Sequence, residues 1–202
     1  MWENGSAGQT IPGQNSMTIS NAMTISRFIL SPVFIVIFLQ QGLWARVGAL
    51  LIVAINEFTD LFDGFIARRR GETTEFGKIV DPLADSFCRF TVFLCFMAAG
   101  YAPVWMIAFL FYRDIVVSYL RVLAGMHGVV MGARRSGKLK AMAQGPSILL
   151  ILILDVVRNL TPIPWFHQFT FILVGIVTIV TIISGVDYVM GTKHYMKRLK
   201  LQ

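Results

Sequence analysis

The stretch Asp60–Asp85, "DLFDGFIARRRGETTEFGKIVDPLAD", sets four aspartates between long apolar segments. Asp60 and Asp63 are three residues apart and Asp81 and Asp85 four apart, so on helices each pair occupies one face. The surroundings decide the fold class. Over 202 residues the chain is 55% hydrophobic and 14% charged, with a mean hydropathy of +0.66, more apolar than a soluble domain. Apolar runs long enough to cross a bilayer recur near 24–40, 46–67, 82–101, 103–126, 142–160 and 166–190. A backbone in lipid must satisfy its own hydrogen bonds, so these runs are expected to be helices. The expected fold is an all-α integral membrane protein, a bundle of six transmembrane helices. A soluble all-α domain would need far more polar surface.

Charge placement orients the bundle. Arg68, Arg69, Arg70 and Lys78 fall between runs two and three, Arg134, Arg135, Lys138 and Lys140 between runs four and five, and Lys193, Lys197, Arg198 and Lys200 after run six. The opposite loops hold little beyond Arg46 and Arg158. Basic loops stay inside, which predicts cytoplasmic termini and a site facing the cytoplasm, in a bacterial inner membrane. The net charge of +7 suits an anionic leaflet. It does not suit nucleic acid, since no basic patch is interleaved with stacking aromatics. Residues 1–16 are polar and rich in Gly, Ser and Gln, and read as a leader or disordered tail. Residues 17–202 form one membrane domain. Cys88 and Cys95 lie seven apart, about 10 Å along a helix, too far to bridge, and read as reduced packing residues.

Carboxylates inside apolar helices are costly and usually functional. With a short connection, the two helices run antiparallel and the two pairs meet at one depth. Four converging carboxylates repel unless a cation holds them. All-oxygen ligation favours a hard ion, Mg²⁺ or Mn²⁺, and four acids suffice for two ions, an arrangement suited to phosphoryl displacement. Gly64 and Gly77 leave room for a ligand or helix, Ala67 keeps the face narrow, and Arg68 offers a fork of donors to phosphate. Pro82 is expected in the first turn of span three.

The pattern Asp60-x2-Asp63-Gly64-x2-Ala67-Arg68-x8-Gly77-x3-Asp81-x3-Asp85 resembles the signature of the CDP-alcohol phosphotransferase family, position for position. The resemblance implies that Asp60, Asp63, Asp81 and Asp85 bind two divalent cations that hold the diphosphate of a CDP-linked donor. It implies that Asp85 is also the base on the acceptor hydroxyl, with Asp81 beside it in the catalytic set. Asp60, Gly64, Ala67, Arg68, Thr74 and Gly77 would line the CDP pocket, CMP would leave, and the protein would be a homodimer.

A second region, Tyr112–Gly145, bears on the acceptor. Arg113 and Arg121 lie eight apart, about 80° around a helix, in an apolar segment, and Lys138 and Lys140 follow in the expected cytoplasmic loop. Buried arginines need anions, here an acceptor phosphate or the neighbouring Asp114. Arg113, Asp114, Ser118, Leu120 and Arg121, then Gly137, Lys138, Lys140 and Gln144, resemble the phosphatidylglycerophosphate synthase branch, as does Asn21–Arg27. That resemblance implies CDP-diacylglycerol, a membrane lipid, as donor. The implied acceptor is glycerol 3-phosphate, its phosphate held by Arg113, Arg121, Lys138 and Lys140. Ser86, Ala141 and Asp114 depart from that branch's usual Lys, Thr and Glu, so inositol phosphate, inositol, serine or a phospholipid stay open as acceptors.

Two other readings are weaker. Gly132-x4-Gly137-Lys138 approaches a P-loop, but Leu139 follows it and no strand precedes it. An ion-coupled transporter would spread acids along a path, whereas these four cluster near one face. Replacing Asp60, Asp63, Asp81 or Asp85 singly by Asn separates the classes: each variant is expected to fold in detergent yet lose CMP release by at least about a hundredfold. Folded variants that keep full release would exclude the phosphotransfer reading.

Overall fold

The computed structural model describes the backbone of residues 19–70, 75–126 and 135–199, and the side chains of 26–59, 84–124 and 136–192. Six helices account for the described chain: α1 (Ile19–Leu39), α2 (Leu43–Arg70), α3 (Glu75–Ala98), α4 (Val104–Met126), α5 (Arg135–Leu160) and α6 (Phe166–Leu199). No strand occurs among the described residues. Each expected apolar run lies within a helix or runs at most a few residues past its end. Several helices outrun their apolar stretches, so Arg68–Arg70 close α2, Lys78 lies in α3, and Lys138 and Lys140 stand in the opening turns of α5. Those two lysines are therefore helical residues rather than members of a loop. Pro82 also departs from expectation: α3 begins at Glu75, which leaves the proline inside the helix.

The turns follow from local chemistry. At the end of α3, Gly100 adopts a φ of 74° that disfavours side chains. Its N–H donates to the Met97 carbonyl at 3.0 Å and that of Tyr101 to Phe96 at 2.8 Å, the paired bonds of a Schellman stop. The accompanying apolar contact is present, with the Tyr101 and Phe96 rings 5.8 Å apart. Pro103 precedes α4, and Pro162 and Pro164 separate α5 from α6. α1 packs on α2 and α3, α5 on α2, α3 and α6, and α4 on α6 and α3.

The interior combines an apolar core with buried hydroxyls, while large apolar side chains also cover the outside. α6 turns Thr170, Thr178, Thr181, Ser184 and Thr192 inward and leaves Ile172, Ile179 and Ile183 exposed. Thr178 and Thr192 donate to the carbonyls one turn back, each at 2.8 Å, so these hydroxyls enter the interior already bonded. α5 from Ser136 and α6 through Thr192 are apolar and long enough to span a bilayer.

One end of the bundle is pinned by charge. Asp155 of α5 is fully buried. Its Oδ1 accepts from the Tyr101 hydroxyl at 2.8 Å and pairs with Arg158 Nη2 at 3.0 Å, while Oδ2 pairs with Arg46 Nε of α2 at 3.3 Å. Arg46 Nη1 also donates to the Phe38 carbonyl in α1 at 2.9 Å. Arg46 and Arg158, expected as loop charges, are helical residues tying α1, α2 and α5 to the α3–α4 turn. Asp155→Ala would strand two cations around an apolar gap, a loss of about 3–5 kcal/mol. The detergent-solubilised variant is expected to unfold at a clearly lower temperature, and adding Arg46→Leu should recover part of the loss. An unchanged melting curve for the single variant would contradict the pinning role.

Candidate functional site

Two polar clusters lie toward the other end. The first joins α1, α2 and α3. Arg27 Nη1 donates to Asp85 Oδ1 at 2.9 Å. One helical turn further along α3, Arg89 Nε pairs with Glu57 of α2 at 3.4 Å. A space of about 20 Å³, room for one water, is bordered by both pairs. Ser31 and Cys88 lie 3.1 Å apart beside it. Both cysteines are free, and Cys95 sits in the core, as expected of packing residues. The Glu57 carboxylate rests against Gly145 of α5, where an added Cβ would lie 2.8 Å from Oε2. A side chain at 145 would push it aside.

The second cluster joins α4, α5 and α6. Lys140 Nζ reaches both oxygens of Asp114, at 2.5 and 2.6 Å. Arg113 Nη1 pairs with the same carboxylate at 3.1 Å, and its Nη2 donates to Ser184 Oγ at 2.6 Å. Among the described side chains, two cations thus share one acid in a region that is largely buried, which leaves this set of three net positive. About two turns along α4, Arg121 Nε donates to the Tyr188 hydroxyl at 3.2 Å. Ser136 at the start of α5 donates to Asp187 at 2.6 Å.

A cavity of about 370 Å³ between α3 and α4 runs between the clusters. Phe87, Phe90 and Phe111 form apolar walls, while Ser86, Arg89, Asp114 and Gln144 supply polar ones. The Oε1 of Gln144 is buried without a hydrogen-bond partner among the described residues, leaving an acceptor available beside the cavity.

The structure brings Arg113 and Lys140 together on Asp114, the carboxylate that the sequence left open as an alternative to an acceptor phosphate. Arg121 points to the same helix, α6, but bonds Tyr188, and Lys138 is exposed. Asp60, Asp63, Gly64, Ala67 and Arg68 lie on α2 and Gly77 and Asp81 on α3, with side chains outside the described ones; Thr74 lies outside altogether. Among the described residues, no three His, Cys, Asp or Glu side chains gather as a metal centre, a statement that reaches only Asp85 of the four aspartates. Sequence reasoning missed Glu57 with Arg89, and gave Arg27 no partner. The available signal was spacing: Glu57 precedes Asp60 by three residues and Arg89 follows Asp85 by four, which extends both acidic faces by one turn.

Comparison with known proteins places this arrangement. A family model described as CDP-alcohol phosphatidyltransferase matches residues 17–186, most of the chain. The chain belongs to that family. It is thus a phosphotransferase, and with its apolar helices a membrane protein. Similar curated proteins of this family bear the name CDP-diacylglycerol–glycerol-3-phosphate 3-phosphatidyltransferase. The one from Bacillus subtilis is 29% identical over 183 residues, 84% of this chain and 92% of that protein. The one from Rickettsia typhi is 32% identical over 187 residues, 88% of this chain and 98% of that protein. The match to the Treponema pallidum protein, 33% identical over 129 residues, spans 63% of this chain and only 60% of its relative's length.

The arginine of the second cluster has a built-in gauge. Gly185 of α6 faces the Arg113 stem, and a Cβ there would come within 2.8 Å of Cγ. Gly185→Ala is therefore expected to lower stability by about 1–3 kcal/mol, read as a drop in melting temperature. A variant as stable as the parent would mean that the stem is free to shift.

Proposed function

We propose that this CDP-alcohol phosphatidyltransferase transfers a phosphatidyl group from CDP-diacylglycerol to glycerol 3-phosphate, releasing CMP and forming phosphatidylglycerophosphate. The observation that carries the acceptor is the convergence of Arg113 and Lys140 on a single carboxylate. One acid cannot neutralise two buried cations, so the cluster is suited to receive a further anion, as an acceptor phosphate would be. The names of the similar proteins support the same substrates. In this reading six helices span the bilayer, both termini and the site are cytoplasmic, and the enzyme works as a homodimer.

The donor set fits two divalent cations: four carboxylates from consecutive helices, oxygen only, at helical spacing. Asp60, Asp63, Asp81 and Asp85 would hold Mg²⁺ or Mn²⁺, which would neutralise the diphosphate and the departing CMP phosphate. Gly64, Ala67, Arg68, Thr74 and Gly77 would line the cytidine diphosphate pocket. Arg27 orients the Asp85 carboxylate, which takes the proton from the attacking hydroxyl. The hydroxyl oxygen then bonds to the β-phosphorus as the bond to the CMP oxygen breaks. Arg113, Arg121, Lys138 and Lys140 hold the acceptor by its phosphate, and the apolar-walled cavity between α3 and α4 leads from the bilayer side toward Asp114.

The test is CMP release by purified protein given CDP-diacylglycerol and Mg²⁺ or Mn²⁺, with glycerol 3-phosphate, inositol phosphate, inositol and serine offered in turn. Release is expected with glycerol 3-phosphate alone and should vanish in chelator. Lys140→Gln should raise KM for glycerol 3-phosphate by roughly tenfold or more while the KM for CDP-diacylglycerol holds, since a charge-assisted bond contributes about 1.5–3 kcal/mol. Turnover with a neutral alcohol in place of glycerol 3-phosphate would overturn the acceptor assignment.

A further inference from the structure

The end of the bundle pinned by Asp155 holds a second polar site. Along α5, Asp155 lies fifteen residues beyond Lys140, about 22 Å at 1.5 Å per residue, so this site is remote from the clusters described above. Here a cavity of about 480 Å³ opens between the α1–α2 turn and the ends of α3 and α5. Arg46 and Arg158 both line it, with Gln41 and Asn159 completing its polar wall. No acidic residue lines it.

The charges do not balance. Two guanidinium groups share the single Asp155 carboxylate behind them, so the cavity faces one net positive charge. The first turn of α2 adds to it. That turn contains no acid, and it contains Arg46, a charge that the helix dipole disfavours there in the absence of an anion. The volume is far more than a single water or halide needs and falls in the range of small-ligand sites. Its rim is apolar and aromatic: Leu39 lines it and is 62% exposed, and Trp44, two residues after the Gly42 that borders it, is 85% exposed. Exposed tryptophan beside paired arginines is the side-chain set of a bilayer interface.

We propose that this cavity binds the phosphodiester headgroup of an anionic phospholipid, held by Arg46 and Arg158 on the membrane face opposite the catalytic aspartates. The acyl chains descend past Leu39 along α1. The inference rests on the six-span reading, which brings this end of the bundle to the bilayer surface.

The full-length protein in neutral detergent tests it, with short-chain phosphatidylglycerol, short-chain phosphatidylcholine and inorganic phosphate as separate probes, and binding read by native mass spectrometry and thermal shift. Arg158→Gln is the direct variant, but it also disturbs the Asp155 cluster, so Gln41→Glu and Gln41→Lys serve as well. Gln41 is exposed and bonds nothing in that cluster. Phosphatidylglycerol is expected to bind in preference to phosphatidylcholine, Gln41→Glu to weaken it by about fivefold, and Gln41→Lys to retain or tighten it. Equal binding of both lipids, or phosphatidylglycerol binding indifferent to Gln41→Glu, would overturn the proposal. Stabilisation by inorganic phosphate equal to that by the lipid would overturn the lipid as its source. CMP release measured on the same samples keeps a failure here distinct from a failure of the catalytic reading, because Gln41 lies outside that machinery.

Discussion

A charge taken out of water must be met by another charge or a donor, and this bundle is arranged around that requirement. Asp155 is met by two arginines and a tyrosine hydroxyl, Asp114 by an arginine and a lysine, and Asp85 by Arg27. Every one of these sets draws on more than one helix or on a helix and a turn. The ion pairs thereby fix which helices are neighbours, a matter that apolar contact alone leaves loose when the surroundings are as apolar as the helix faces.

The two ends answer that requirement differently. At the Asp155 end the acid is fully buried between two arginines and a tyrosine hydroxyl, an arrangement that holds the fold. Toward Asp85 and Asp114 the acids are partly accessible, a cavity reaches Asp114, and an acceptor on Gln144 is left over. The ion pairs that hold the fold are thus distinct from those that border the cavity between α3 and α4.

Much of this was legible in the chain. Apolar runs of bilayer length announced all six helices, and the motif from Asp60 to Asp85 pointed to the family that the comparison shows. Helix ends were less legible, because α2, α5 and α6 continue through basic residues that a hydropathy reading assigns to loops. Such residues are good helix formers, and their side chains need only reach water. The pairings were not legible. Arg27 and Asp85 are separated by 58 residues and Tyr101 and Asp155 by 54, and nothing local in the sequence joins them. Arg46 and Arg158 looked like topology signals because their shared partner is a single aspartate deep in an apolar segment. Lys140 with Asp114 lay between: the alternatives of phosphate or carboxylate were both readable, and the structure shows the carboxylate in place.

The Arg113 stem lying against Gly185 gives α6 a mechanical part in the cluster around Asp114. The stem lies against the backbone at Gly185 of α6, and the guanidinium is held between the Ser184 hydroxyl and Asp114 on its own helix. Its height in the bundle is therefore tied to the axial position of α6. Thr170, Thr178 and Thr192 bond to their own helix, so the axial position of α6 is fixed by its bonds to α4 and α5 through Ser184, Asp187 and Tyr188. A shift of one residue rise, about 1.5 Å, would carry the cation with it, a displacement comparable to those that misalign reacting groups. Bilayer thickness, which sets where a long apolar helix comes to rest, would in this way be felt as a change in the position of a single positive charge.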